Sequence, residues 1–314
     1  MSPNATNDGS DFHYDVVIVG GGPAGLAAAL ALGRARRRVL LCDAGPRRNA
    51  AASHIHNFVT RDGTTPSEFR RIGRAQLEPY ANVAVAEAAV EAITGSCGEF
   101  SVRLSAKLVR ARRVLLCTGM IDDGIDIDGF RELWGSSIFQ CPYCHGWEIQ
   151  NQNFGFLSPS AEMLEFAIFL RAWTHHVVAY TDSRFEVVPA VRDRLLQAGV
   201  ILDERRITRL LAPDGKLAQI MFADGAISQT DALFARPPQR HVPIVQALAL
   251  ALNPMGYVVV DETRRETSIP GIYAAGDLLS PMQAAIVAAA SATHAASVLN
   301  HGLVFELALQ GQLP

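Results

Sequence analysis

The fold of this chain is decided by Asp15-Val-Val-Ile-Val19-Gly20-Gly-Gly-Pro-Ala-Gly25, a β-branched run that passes directly into a glycine-rich loop. An apolar helical segment follows, and then a second strand-like run, 38–42, that is closed by Asp43. A Gly-x-Gly-x-x-Gly loop in this βαβ context is typical of a dinucleotide site. The sequence therefore predicts an α/β fold in which Asp43 accepts hydrogen bonds from the ribose hydroxyls.

The residues of the glycine-rich loop have separate expected tasks. Gly20 forms the tight turn, Gly22 lets the backbone approach a pyrophosphate, and Gly25 allows the helix to pack closely on the strand. Pro23 and Ala24 begin the helix, so its positive N-terminal end faces the phosphates.

Two later strand-like runs end in similar turns. Residues 114–117 lead into Thr118 and Gly119, and residues 271–275 lead into Gly276 and Asp277. An alanine-rich helix is expected at about 282–299, where its N-terminal dipole can face a ring carbonyl or a phosphate. The apolar segment 303–309 beyond it should be packed against other residues, because exposing it to water is costly.

These motifs predict a cofactor domain that is split in the sequence. Its parts are 12–121 and 242–314, and an inserted domain, 122–241, has its own βα pattern. The polar residues 1–11 are interpreted as a disordered tail.

Composition restricts the function. A net charge of −3 argues against nucleic acid as a partner. No apolar run approaches the about 20 residues that span a membrane. The first ten residues lack a signal pattern, so the five cysteines indicate a reducing, cytoplasmic setting.

The inserted domain carries Cys141-Pro-Tyr-Cys144-His145-Gly146. A Cys-x-x-Cys pair can open and close as a disulfide, and with a bound dinucleotide it indicates electron transfer between thiols and a cofactor. Cys-x-x-Cys-His also fits c-type haem attachment, which normally follows export, for which no signal is seen. Zinc would need a second ligand pair, and only the adjacent His175 and His176 cluster, so no metal is predicted.

Together these motifs resemble the low-molecular-weight thioredoxin reductase family of FAD flavoproteins over nearly the whole chain. The resemblance implies two Rossmann-like nucleotide-binding domains, FAD as cofactor and a homodimer. It also implies that Cys144 is the cysteine nearer the flavin. The implied FAD contacts are Gly20, Gly22, Pro23, Ala24, Gly25, Asp43, Arg48, Asn49, Asn57, Thr118, Gly119, Gly276, Asp277, Gln283 and Ala284.

The chain departs from that family after the second cysteine, where His145 replaces the usual Asp. This motif is similar to the branch of dithiol oxidases that close disulfides in natural products such as gliotoxin, holomycin and romidepsin. His145 suits proton transfer, because a histidine titrates near the working pH. His54 and His56 flank the expected flavin region, where we expect a packing or loop role or assistance in proton transfer.

A second departure concerns NADPH. The loop that opens the family's middle domain corresponds here to 158–163, in which Ser158 and Ser160 replace glycines and Met163 replaces a small residue. Side chains at these positions obstruct the pyrophosphate and push helix from strand. Asp182 lies where basic residues would hold a 2′-phosphate. We therefore expect a degenerate NADPH site.

The predicted function is an FAD-dependent dithiol oxidase that acts on a small natural-product dithiol, with Cys141, Cys144 and His145 as catalytic residues. Electrons would pass to dioxygen and give hydrogen peroxide. The alternatives are a disulfide reductase fed by NADPH or by another donor such as ferredoxin, and a flavin-bound sensor without turnover.

Overall fold

The computed structural model describes residues 13–45, 48–105 and 107–313, so the predicted tail, 1–11, lies outside the described residues. The helices are Pro23–Arg34 (α1), Pro66–Ala75 (α2), Phe130–Leu133 (α3), Pro142–His145 (α4), Phe166–Leu170 (α5), Pro189–Gln197 (α6), Pro243–Ala247 (α7) and Ala285–Leu309 (α8). The strands are His13–Val19 (β1), Val39–Cys42 (β2), Val83–Ala86 (β3), Val90–Ser96 (β4), Glu99–Leu104 (β5), Lys107–Leu116 (β6), Ile121–Asp122 (β7), Ile138–Phe139 (β8), Phe154–Leu157 (β9), Val177–Tyr180 (β10), Ile201–Asp203 (β11), Ile207–Leu211 (β12), Gln219–Phe222 (β13), Ile227–Gln229 (β14), Ala232–Ala235 (β15), Gln239–Arg240 (β16) and Ile272–Ala274 (β17). Short 3₁₀ turns lie at Arg48–Ala51, Ala161–Met163 and Gly276–Leu278.

The described residues form two compact units. One comprises Ser67–Ile121 with the described parts of Met1–Arg47 and His241–Pro314, and the other comprises Arg48–Pro66 and Asp122–Arg240. The predicted first part, 12–121, is thus interrupted by 48–66, which groups with the inserted segment.

The first unit is built on a sheet of order β3-β2-β1-β6-β5-β4, with β17 beside the end of β6. Strand β1 pairs in parallel with β2 and β6, and it is buried on both faces, as its β-branched residues require. Strand β6 pairs with β5 along its first half and with β17 near its end. The carboxyl ends of β1, β6 and β17 therefore lie side by side.

Helices α1 and α8 share one hydrophobic core on this sheet. Their buried faces are rich in alanine, which lets the two backbones approach closely. Helix α8 continues to Leu309, so the helix predicted at 282–299 was too short. The apolar segment 303–309 forms the last turns of α8. Its residues Leu303 and Leu307 belong to the core that α8 shares with α1.

The second unit has a five-stranded sheet of order β11-β10-β9-β15-β8, in which each neighbouring pair is parallel. An antiparallel sheet, β12-β13-β14, belongs to the same unit. The predicted α/β class with two Rossmann-like units is confirmed. None of the helices in the described ranges is long and apolar enough to cross a membrane.

Candidate functional site

The glycine-rich loop forms a cradle at the carboxyl end of β1. A Cβ atom on Gly20 would lie 2.3 Å from the carbonyl oxygen of Cys117, and one on Gly25 would lie 1.8 Å from the carbonyl oxygen of Gly20. Both positions therefore exclude a side chain. At Gly22 no atom of the described residues lies within 4 Å of such a Cβ, so the backbone there is open to a ligand.

The first turn of α1 completes this cradle. Gly22 is the N-cap and has no side chain to satisfy the free amides, while Pro23 fits the first helical position because it has no amide to leave unpaired. Ala24 is buried behind it. Free amides and a positive dipole end favour an anion such as a pyrophosphate, so the arrangement fits a dinucleotide.

The other two motifs converge on the same edge of the sheet. Gly20 packs against Thr118, which precedes Gly119, itself in a left-handed conformation at φ +65°. A Cβ atom on Gly276 would lie 3.1 Å from that of Ala24, which places the Gly276 turn beside the start of α1. The amide of Gly276 donates to Ser291 Oγ at 2.8 Å and so attaches this turn to α8.

The residues that precede α8 follow directly from the Gly276 turn. Gln283 donates through Nε2 to the carbonyl oxygen of Asp277 at 3.4 Å, and Ala284 is the N-cap of α8. Because alanine cannot accept a hydrogen bond with its side chain, the first amides of α8 remain available. The three predicted motifs of this unit therefore meet at one edge of the sheet.

Asp43 lies beside the glycine-rich loop, as expected for a ribose contact. A Cβ atom on Gly21 would lie 2.3 Å from Oδ2 of Asp43. That carboxylate, however, accepts hydrogen bonds from Arg70 Nε at 2.8 Å and Arg74 at 3.3 Å. These two arginines of α2 bring positive charge to the cradle and were not among the predicted site residues. The signal for them in the sequence is the arginine-rich face of an amphipathic helix.

The remaining predicted FAD contacts, Arg48, Asn49 and Asn57, lie in the second unit with the cysteine pair. Arg48 makes a bidentate ion pair with Asp122 at 2.6 and 2.8 Å. Asn57 donates through its side-chain amide to the carbonyl oxygen of Tyr143. Of these three residues, Asn57 is thereby placed against the Cys-x-x-Cys turn.

Cys141 and Cys144 form a disulfide with a Cα–Cα distance of 5.3 Å. Cys141 is the N-cap of the short helix α4, and Pro142 occupies the first helical position. The amide of Cys144 donates to the carbonyl oxygen of Cys141 at 3.2 Å, which shapes the turn. Both cysteines are half-buried.

His145 directly follows the disulfide and packs on Phe139, with ring centroids 4.4 Å apart. Both ring nitrogens are buried, and within the described part of the chain the one polar group close to the ring is the backbone of Cys141, which acts to raise the pKa of His145 without a hydrogen bond of ordinary geometry. Burial lowers the pKa of His145, because it disfavours the charged imidazolium, while nearby Glu148 opposes that shift. Burial therefore favours the neutral form of the His145 ring.

The other cysteines differ from this pair. Cys42 is buried, which raises its pKa to about 12, and burial also raises the pKa of Cys117. Both thiols therefore stay protonated and are unreactive at neutral pH. Cys97 is exposed at the surface.

The loop 158–163 differs from the glycine-rich loop of the first unit. Ser158 is fully buried, and its Oγ donates to the carbonyl oxygen of Ser160 at 2.8 Å. A 3₁₀ turn, Ala161–Met163, follows in place of a continuous helix. A hydrogen bond from Ser160 lowers the pKa of Glu162, which keeps a negative charge in this turn.

The turn after β10 is also occupied by protein contacts. Asp182 accepts a hydrogen bond from the amide of Ile207 at 2.6 Å and pairs with Arg184 at 2.9 Å. The Asp182 carboxylate is therefore bonded to groups of the chain itself. Within the described ranges, no group of three His, Cys, Asp or Glu residues is placed to hold a metal ion.

Comparisons with known proteins agree with this geometry. The family model described as pyridine nucleotide-disulphide oxidoreductase matches residues 14–292. Thioredoxin reductase tcpT of Claviceps purpurea is 32% identical, with 84% of this chain and 86% of that protein covered. The crystal structure of HlmI is 33% identical with a TM-score of 0.89, and it covers 98% of this chain and 97% of that one. An oxidoreductase from Agrobacterium tumefaciens is 34% identical with a TM-score of 0.88 and covers 94% and 99%.

Proposed function

Because this chain belongs to the pyridine nucleotide-disulphide oxidoreductase family, we propose that it is an FAD-dependent dithiol oxidase that closes a disulfide in a small molecule. The resemblance to thioredoxin-reductase-like flavoproteins, the FAD cofactor and the oxidoreductase class predicted from the sequence are confirmed. The substrate, the electron acceptor and the independence from NADPH are the proposal.

The observation that carries the proposal is the loop 158–163, which we call closed because Ser158 bonds to Ser160 within it. The buried Ser158 hydroxyl bonds to Ser160, and charged Glu162 follows in the turn where a pyrophosphate would need free amides and a positive dipole. A negative group repels another anion at this site. These features support an enzyme whose electrons enter through the Cys141–Cys144 disulfide and not through a nicotinamide.

The cysteine pair would react by two thiol–disulfide exchanges. A substrate thiolate attacks Sγ of Cys141, breaks the enzyme disulfide and releases Cys144 as a thiolate. The second substrate thiolate attacks the substrate sulfur bonded to Cys141, which closes the substrate disulfide and releases Cys141. Two electrons and two protons pass from the substrate to the protein, so the exchange is balanced.

His145 would take a proton from each substrate thiol in turn and pass it to the cysteine thiolate that the exchange releases. Its ring is neutral because burial lowers its pKa, and both of its nitrogens are buried. Such a ring can accept a proton from a thiol and so generate the attacking thiolate.

Residues of the first unit would hold the cofactor. The amides after Gly22 would hold the pyrophosphate, Asp43 would hold the ribose, and the N-terminal amides of α8 would favour a negatively charged part of the ring system. FAD, when bound, supplies a two-electron acceptor that connects the cysteine dithiol to dioxygen. In the predicted arrangement Cys144 is the cysteine nearer the flavin.

Oxygen uptake tests the proposal. With dithiothreitol as substrate, we expect oxygen consumption and stoichiometric hydrogen peroxide, abolished in Cys144→Ser and retained in the control Cys97→Ser. Anaerobic mixing with NADPH should leave the flavin oxidised or reduce it slowly. Rapid bleaching by NADPH, at a rate comparable with dithiothreitol, would refute the oxidase.

A second candidate is a disulfide reductase. It is favoured by the relatives' names, since tcpT is called a thioredoxin reductase. A reductase would need an electron donor that binds at the loop 158–163. Anaerobic mixing with NADPH therefore distinguishes the reductase from the oxidase. The proposal also includes a cytoplasmic homodimer acting on a natural-product dithiol, which sizing chromatography and assays with candidate dithiols would examine.

A further inference from the structure

Three aromatic rings lie together at the turn that carries the disulfide. Tyr143 stands between the two cysteines in the sequence, and it is 65% exposed. Its ring centroid lies 5.7 Å from that of Phe169 and 5.6 Å from that of Trp173. The rings of Phe169 and Trp173 are themselves 5.2 Å apart in an edge-to-face arrangement. We call Tyr143, Phe169 and Trp173 the aromatic cluster.

The aromatic cluster is built on the core of the second unit. Phe166, Phe169 and Trp173 are spaced by three and four residues, so they lie on one face of α5 and of the turn that follows it. Phe166 and Trp173 pack against the core, and the ring of Phe166 lies 5.6 Å from that of Phe169. Phe169 is 40% exposed. The cluster therefore extends from buried rings to exposed ones.

The redox turn is fixed against this cluster. A Cβ atom on Gly146 would lie 2.8 Å from Cδ1 and 2.9 Å from Nε1 of Trp173, so the indole excludes a side chain at the end of the Cys-x-x-Cys-His-Gly motif. The side-chain amide of Asn57 donates to the carbonyl oxygen of Tyr143 and holds its backbone. Because these contacts form without a ligand, binding to the cluster would cost little conformational entropy.

The position of Tyr143 brings a reacting molecule to the cluster. Consecutive Cα atoms are about 3.8 Å apart, so the tyrosine lies within one residue of Cys144 and two of Cys141. A molecule that bonds to Sγ of Cys141 is therefore within reach of the Tyr143 ring. Exposed rings at such a place are typical of a binding surface.

The size of the exposed surface favours a small molecule. At about 200 Å² for an aromatic side chain, the exposed fractions of Tyr143 and Phe169 leave about 200 Å² open. Each partner in a stable protein complex buries about 800 Å². The open surface corresponds to one small ring system.

We propose that the aromatic cluster binds the ring system of the substrate, so that the preferred substrates are dithiols on an aromatic or other flat apolar scaffold. Aromatic rings attract each other in offset-stacked and edge-to-face arrangements, and none of the three side chains carries a charge that would favour a charged dithiol. Tyr143 is a specificity-determining residue that takes no part in electron or proton transfer. The proposal rests on the proposed function in that a dithiol reacts at the Cys141–Cys144 disulfide.

The experiment is anaerobic reduction of the bound flavin by two dithiols, ortho-benzenedimethanethiol and dithiothreitol. Both close a six-membered cyclic disulfide, and only the first has an aromatic ring. We expect half-maximal rates at about 10-fold lower concentrations of the aromatic dithiol, because ring contacts add to its binding. Tyr143→Ala should remove this preference by raising the concentration needed, with the maximal rate unchanged, whereas Tyr143→Phe should keep it.

The matched control is Phe305→Leu, which removes a 59% exposed ring from the first unit and should keep the preference. If Tyr143→Ala does not fold, Phe169→Leu should weaken the preference instead. The proposal would be overturned by equal half-maximal concentrations of the two dithiols in the wild type, or by a preference that survives loss of the Tyr143 ring. Faster reduction by a protein dithiol such as reduced thioredoxin would also overturn it.

A binding measurement separates this proposal from the proposed function. Saturation-transfer NMR with ortho-benzenedimethanol, which has the ring but no thiol, needs no turnover. We expect a ring-proton signal with the wild type and its loss in Tyr143→Ala. A protein that shows this pattern but is reduced by neither dithiol would refute the oxidase and leave the ring-binding site supported, and an equal signal in both proteins would refute the ring-binding site.

Discussion

The last turns of α8 should stabilise the cofactor unit, and Leu303→Ala tests this. Leu303 is fully buried in the core that α8 shares with α1 and β1, and Leu307, one turn later, is nearly so. Leu299, Leu303 and Leu307 recur every four residues, so they lie on one buried face of α8. Removing the side chain of Leu303 leaves the helix intact, because alanine is the best helix former.

The expected loss follows from the atoms removed. Leu→Ala takes away three buried carbon atoms, which at about 0.8 kcal/mol per group amounts to about 2.4 kcal/mol. Incomplete relaxation of the cavity raises the cost to about 3 kcal/mol, within the range measured for such changes. A unit of this size should then melt about 6–12 °C lower. The double variant with Leu307→Ala should lose less than twice as much, since adjacent sites share one cavity.

Thermal unfolding monitored by FAD fluorescence measures this loss together with its functional consequence. Ser291 of α8 accepts the amide of Gly276, so loosening α8 should release FAD as the unit melts. The matched control is Leu309→Ala, in which an 89% exposed side chain is removed and stability should change by less than about 0.5 kcal/mol. Equal melting temperatures for Leu303→Ala and Leu309→Ala would refute the packing argument.

Three further predictions concern the chemistry. Acid precipitation should release FAD into the supernatant, because the cradle offers non-covalent contacts; yellow colour retained in the pellet would contradict this. Cys141→Ser and Cys144→Ser should both stop turnover, but only Cys141→Ser should show a long-wavelength thiolate–flavin absorption band, and the reverse pattern would exchange their roles. His145→Ala should lower the rate of dithiol oxidation by about 10²-fold, with His145→Asp retaining more activity. Because the pKa of His145 is lowered, the rate should fall only as the pH drops below about 6.5, where the ring becomes protonated; an acid limb at higher pH in the wild type would contradict the assignment.

The first unit was predictable because its signals are local. A β-branched run, three glycines and Pro23 lie within one short stretch, and each is required by a clash or an open approach in the structure. The Gly276 turn was recognisable for the same reason. A local pattern also identified the cysteine pair, because its disulfide joins residues that are three positions apart in the sequence.

What could not be predicted depends on contacts between distant residues. The grouping of 48–66 with the second unit depends on Arg48 binding Asp122 and Asn57 binding Tyr143, partners that spacing does not reveal. Arg70 and Arg74 reach Asp43 only because α2 lies beside the end of β2. Helix α8 was predicted too short; it continues to Leu309, where Leu303 and Leu307 extend its buried face into the core.

The contrast between local sequence signals and contacts of distant residues also explains how the second unit would keep a nucleotide-binding fold without binding NADPH. Its sheet still positions β8, and the end of β8 leads into Cys141 and the turn that His145 follows. With serine at positions 158 and 160 that sheet is intact, since β9 and β10 pair in parallel up to Leu157 and Tyr180. If the closed loop excludes NADPH, the disulfide is the remaining entry for electrons, and each turnover must begin with a thiolate at Cys141. Thiol–disulfide exchange is itself reversible. The direction of the overall reaction would then depend on the exclusion of NADPH by the loop 158–163.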